Sequence, residues 1–210
     1  MTVARTARRE RRTGETDIAL ELTLDGAGTG TRVTGVGFLD HMLDLLARHG
    51  RLDLVVRARG DLQTGSHHTV EDVGIVLGQA LDGALADRAG IFRYGHAVVP
   101  MDEARAMCAI DVSGRPFLAL DPGGLPAGET GGFEHELLEE FFRAIVNNAR
   151  ITLHLEVQAG TNAHHMIEAS FKAFARALRA AVSEALRTAA EALRAASAPL
   201  GCALLCSRGR

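Results

Sequence analysis

The chain has no tryptophan, one tyrosine and only 4% aromatic residues. Such scarcity leaves little with which to stack nucleic-acid bases. A formal net charge of -3 also gives no electrostatic reason to bind nucleic acid. No uninterrupted apolar run is long enough to cross a bilayer, so no membrane partner is expected. Cysteine is sparse: Cys108, Cys202 and Cys206 are odd in number and spaced unlike a disulfide framework, so a reducing cytoplasm is expected. The basic stretch 5–12 leads into no apolar segment; it is not read as a secretory signal, and residues 1–14 are expected to be a mobile arm. What the chain does have is 210 residues, 47% of them hydrophobic, enough for a sizeable core.

It also has histidine in a pattern. Four of its nine histidines lie in two copies of one motif, His67-His68-Thr69-Val70-Glu71-Asp72 and His164-His165-Met166-Ile167-Glu168. On a helix, His67 and Glu71 stand one turn apart on one face, while adjacent histidines diverge by roughly 100°. One metal cannot easily take both rings of a pair, so each pair suits two metals. A single copy also reads as a polar helix start capped by Ser66 or Asn162. Two copies in matched surroundings favour ligands.

Alternating apolar residues predict strands at 17–24, 31–36, 52–59, 92–99, 104–112, 117–120 and 150–158, the second as hairpin partner of the first. Helical spacing predicts helices at 38–49, closed by Gly50, at 66–87, at 134–148, and from 162 to about 196. Residues 121–132, rich in glycine and proline, read as an exposed loop. The halves repeat: a helix, an arginine (Arg51 or Arg150), an alternating strand, a glycine turn, then the histidine motif. Aligning the arginines sets His41 opposite Glu140. We therefore expect an α+β fold built by internal duplication of a strand-strand-helix-strand-helix unit, with two sheets packed through a helical layer. The repeats are taken as 1–90 and 91–198, with a divergent tail at 199–210.

Imidazole and carboxylate together suit Mn, Fe, Co or Zn, and the absence of cysteine from the motifs argues against a structural zinc cage. The candidate ligands are His41, His67, His68, Glu71, Glu140, His164, His165 and Glu168, four for each of two metals. Taken alone, His41 would be a half-buried helix histidine. His49, His96, His135 and His154 have no motif partners and read as structural or surface residues.

With these stretches in hand the chain resembles the imidazoleglycerol-phosphate dehydratases. The matching segments are Phe38-Leu39-Asp40-His41-Met42-Leu43, the two histidine motifs (the second extending to Phe174), Pro100-Met101-Asp102-Glu103-Ala104 and Asp111-Val112-Ser113-Gly114-Arg115-Pro116. The resemblance implies a lyase of histidine biosynthesis that dehydrates imidazole glycerol phosphate to imidazole acetol phosphate. It implies two Mn2+ per site and a 24-subunit shell with sites between chains. It carries the metal ligands onto seven of the eight candidates; the remaining one, often histidine in the family, falls on Glu140. It carries substrate contacts onto Glu15, Arg93, Arg115 and Lys172, and proton transfer onto Glu15, with Glu168 or a metal-bound water as alternatives. The C-terminus departs from the family pattern, and Ser207 and Arg208 could stand in for its last phosphate contact. Two other readings are a related metal-dependent lyase or hydrolase on another phosphorylated imidazole, and a catalytically impaired metal-binding shell protein.

Overall fold

The computed structural model describes residues 4–185; Ser207, Arg208 and the rest of the expected tail lie outside them. The first half runs β1 (Thr6–Arg12), β2 (Thr16–Thr23), β3 (Arg32–Val33), α1 (Gly37–Gly50), β4 (Asp53–Gly60) and α2 (His67–Leu85). The second half runs β5 (Tyr94–Met101), β6 (Ala104–Asp111), β7 (Phe117–Asp121), a small hairpin β8 (Glu129–Thr130) and β9 (Phe133–Glu134), α3 (Leu137–Ala149), β10 (Thr152–Ala159) and α4 (Ala163–Val182). The two main sheets have one plan, β1-β2-β4-β3 and β5-β6-β10-β7, each with three antiparallel neighbours and one parallel edge strand.

Alternation explains the sheets. Ile18, Leu20 and Leu22 of β2, Leu54 and Val56 of β4, and Leu153 and Leu155 of β10 are buried on inward faces. Those faces meet the helices: α2 covers β1 and β2, α4 covers β5 and β6, and the layer closes through α2 on α3 and α1 on α4. The duplicated α+β arrangement of two sheets joined by helices is thus the observed one. Most of the chain's eight phenylalanines serve this layer. Phe141, Phe142, Phe171 and Phe174 are fully buried, with neighbouring ring centroids 5.1–5.5 Å apart.

Four expectations are corrected. The basic arm is a strand: β1 pairs along β2 from Thr6↔Thr23 to Arg12↔Asp17. Its inward positions are Ala7, Arg9 and Arg11, whose stems lie on α2 while Arg11 Nε donates to the buried Asp72 at 2.7 Å. The segment 31–36 is not a hairpin partner of β2; its strand portion, β3, runs parallel to β4. Gly50 does not close α1 but belongs to it, and Arg51 takes the left-handed conformation at φ 53, as Arg150 does at φ 54 after α3. Finally, the expected long last helix is interrupted: α4 ends at Val182, where Ser183 is extended and its carbonyl accepts a backbone bond from Phe92, and residues 186–196 of that expectation lie outside the described ones.

Candidate metal centre

Both histidine motifs open a helix immediately after the last strand of their half: α2 follows β4 and α4 follows β10. The local devices differ. Asn162 caps α4, its side-chain oxygen accepting from the His164 amide at 2.9 Å. Ser66 does not cap α2; its hydroxyl donates to Glu134, whose carboxyl burial would raise but which the Ser66 hydroxyl, backbone amides and the His67 ring together hold below the usual range.

Helix α1 packs on α4, and this brings His41 to the second motif. The ligand-capable atoms of His41, His164 and Glu168 all lie within 4.8 Å of one another. Glu168 Oε2 is 3.3 Å from His41 Nε2 and 3.0 Å from His164 Nε2, while Oε1 takes the Lys172 ammonium at 2.5 Å. Burial would raise the Glu168 carboxyl, yet Lys172 and the two rings hold it below the usual range, so it is ionised. Phe38 stands edge-on to the His164 ring at 4.9 Å between centroids. Glu168 is 7% exposed and His41 45%, so the cluster has a carboxylate floor and open rings. Two imidazole nitrogens and a carboxylate oxygen around one point suit a borderline divalent metal such as Mn, Fe, Co or Zn. Among the described residues this is the one such group.

The first motif is looser. His67 Nε2 lies 3.7 Å from Glu71 Oε2, with both side chains about half exposed. Glu140 is half-buried in the first turn of α3, against which α2 packs, but it joins no three-residue cluster. The second histidine of each pair points elsewhere: His68 Nδ1 is 3.1 Å from both Asp61 oxygens, and His165 Nδ1 is 2.7 Å from Glu103 Oε2. The eight ligand candidates therefore do not converge on one place within a single chain.

Nor do the substrate candidates. Arg93, left-handed at φ 70, donates to Asp111 at 2.7 and 3.1 Å, and Arg115 reaches the same carboxylate at 3.6 Å. Lys172 instead contacts Met101 Sδ at 3.3 Å, at the far end of β5. Eight residues of strand separate these ends, about 25 Å at the usual rise. Glu15 is exposed in the β1–β2 turn, on the side of β4 that leads to the first motif, since Thr16 pairs with Gly60. Sequence reasoning gave no role to Asp61, Glu103 or Asp111. Glu103 lay inside a quoted motif, whereas a lone loop carboxylate such as Asp61 carries no spacing signal.

Residues 34–178 match the family Imidazoleglycerol-phosphate dehydratase. The chain is 56% identical to the imidazoleglycerol-phosphate dehydratase of Jannaschia sp. (strain CCS1) over 88% of this chain and 94% of that one. It is 60% identical to the enzyme of Symbiobacterium thermophilum over 82% and 83%. Among solved structures, the Staphylococcus aureus enzyme superposes with TM-score 0.77 at 42% identity, covering 85% of this chain and 99% of that one. The Pyrococcus furiosus enzyme, in complex with (S)-C348, gives 0.74 at 37% identity over 84% and 94%. Fold and relatives together define a metal-dependent lyase that removes water from its substrate. The chain belongs to the imidazoleglycerol-phosphate dehydratase family of histidine biosynthesis.

Proposed function

We propose that the chain converts imidazole glycerol phosphate to imidazole acetol phosphate at a site holding two Mn2+ ions and built between chains of a 24-subunit shell in the cytoplasm. The observation that carries this reading is the His41–His164–Glu168 cluster, three ligand atoms already gathered with coordination positions left over. The second ion would be held by His67 and Glu71, with His68, His165 and Glu140 completing the two sets from neighbouring chains. The separation between Lys172 and the Arg93–Arg115 pair supports assembly across chains. A substrate of this size cannot touch both ends of β5, so each end would serve a different site.

The proton to be removed sits on a carbon beside the imidazole ring and is only weakly acidic. Metal ions at the ring nitrogens would draw charge from the ring and make that C–H bond more acidic. Glu168 is poorly placed as the base, because Lys172 and the two histidines occupy both of its oxygens. Glu15 is exposed; its backbone amide donates to Thr13 Oγ1, and among the described residues its carboxylate meets no partner. Glu15 would take the proton from carbon and pass it to the departing hydroxyl, so that water leaves and the carboxylate is regenerated. Arg93 and Arg115, aimed at one spot by Asp111, would hold the phosphate by charge-assisted bonds, and Lys172 would hold that of a second site. Ser207 and Arg208 lie outside the described residues and stay candidates for the same group.

The test is turnover of imidazole glycerol phosphate by metal-free protein before and after Mn2+ is added, with particle size followed by light scattering. Activity that needs no metal would sink the reading. Unchanged size after complete metal removal would sever assembly from the metal sites.

A further inference from the structure

Each histidine motif has a second histidine whose Nδ1 faces a carboxylate from a different part of the chain. For His165 it is Glu103, in the tight turn between β5 and β6, at 2.7 Å. For His68 it is Asp61, just after β4, at 3.1 Å to both oxygens. Both carboxylates are themselves fixed. Glu103 Oε1 accepts the backbone amides of Asn162 at 2.9 Å and Thr161 at 3.3 Å, and Asp61 accepts the Thr64 hydroxyl at 2.9 Å. Both are carboxylates, ionised at neutral pH. An ionised carboxylate can only accept, so Nδ1 must carry the proton. In the neutral ring the lone pair is then on Nε2, which on His165 lies 3.7 Å from Asp102 Oδ2.

We infer that Glu103 and Asp61 are positioning residues that hold His165 and His68 in the Nδ1–H tautomer and present Nε2 as a metal ligand. A carboxylate behind a ligating imidazole fixes its orientation and raises its basicity. The inference rests on the reading above that both rings bind metal. The turn that supplies Glu103 is shaped for the task, since Asp102 is left-handed at φ 49 and sends the chain straight back along β6.

Two measurements on the intact protein test this. In metal-free protein labelled at histidine nitrogens, at a pH high enough for the ring to be neutral, 15N magic-angle-spinning NMR should show the Nδ1–H form at His165. Glu103→Ala should let the Nε2–H form appear, and Glu103→Gln, whose side-chain carbonyl still accepts, should suppress it. Calorimetric titration with Mn2+ should show affinity about 10- to 100-fold weaker in Glu103→Ala and mostly recovered in Glu103→Gln. Asp61→Ala and Asp61→Asn should repeat the pattern at His68. Unchanged tautomer and affinity in the alanine variants would overturn the inference. So would weakened affinity with an unmoved tautomer, since that is what a mere prop for the 161–162 turn would give. Wild-type protein that binds no Mn2+ would instead overturn the two-metal reading, and the metal-free spectrum would still decide whether Glu103 sets the ring.

Discussion

The two halves share a plan but differ in finish. In the second, α4 carries a closed cluster in which Glu168 is buried under His41, His164 and Lys172. In the first, α2 carries the same motif open, with only His67 and Glu71 near each other. Two residue differences account for much of this. At the place of Lys172, one turn past the motif carboxylate, α2 has Ile75, which cannot neutralise a buried carboxylate. At the place of His41, α3 has Glu140, a carboxylate where the second half has an imidazole. A duplicated scaffold can thus keep its register while the side chains around its two histidine motifs diverge.

The sharpest way to break this comparison is to remove one histidine from each copy. His164→Ala and His67→Ala should each lower turnover about a thousandfold or more, roughly 4 kcal/mol of barrier, and reduce bound Mn2+ from two ions per chain toward one. Steady-state kinetics with metal analysis checks both, and undiminished metal in either variant would mean the copies are not separate half-sites. Next in size is the seam between α2 and α3. A Cβ on Gly74 would come within 2.8 Å of the Phe141 carbonyl oxygen, and one on Gly78 within 2.7 Å of that of Ile145. Gly74→Ala should destabilise by about 1–3 kcal/mol through overpacking, read by denaturant unfolding. Ala175, which stands at the place of Gly78 in α4, already accommodates its Cβ.

Smaller effects separate the two caps. Arg51 and Arg150 are both left-handed, but among the described residues only the Arg150 side chain is tied down, donating to Asp82 at 2.9 and 3.1 Å. Arg51→Gly should therefore be neutral or stabilise by up to about 1 kcal/mol, whereas Arg150→Gly should gain less or lose stability; comparing their melting temperatures decides it. The smallest effect is with acid. Asp53 accepts from the amides of Ala27 and Thr29 and from the Thr29 hydroxyl, and these bonds depress its pKa. A depressed carboxylate contributes stability above its unfolded value of about 3.9, and loses it as pH falls through the lower folded value. The Thr29 amide shift should follow that loss, and Asp53→Asn should abolish the titration. At the matching place in the second half the Thr152 hydroxyl donates to the Arg115 carbonyl at 3.2 Å, a bond without a titrating partner.

The core strands were legible because Ile18, Leu20 and Leu22 alternate plainly, and α1 because Phe38, Leu39, Met42 and Leu46 repeat at helical spacing. Strand β1 was not, because its inward residues include Arg9 and Arg11, which bury stems rather than whole side chains. Gly50 misled for a related reason: glycine is the usual left-handed cap, yet here Arg51 takes that conformation and lets Leu52 turn directly into the core. The His41–Glu140 correspondence came from aligning the arginines, and the structure sets these residues on the equivalent helices α1 and α3. Where His68 and His165 direct their rings could not be read, because that depends on carboxylates reaching in from turns.

The glycine seam has a further consequence for anyone redesigning the molecule. Side chains can exchange volume with their neighbours, and the phenylalanines between α3 and α4 offer many such exchanges. The atoms facing Gly74 and Gly78 include main-chain oxygens, which cannot be substituted. A library that varies the helical layer should therefore leave those two positions alone and draw its diversity from the α4 side. There, a poorly chosen residue can be rescued by a second change nearby.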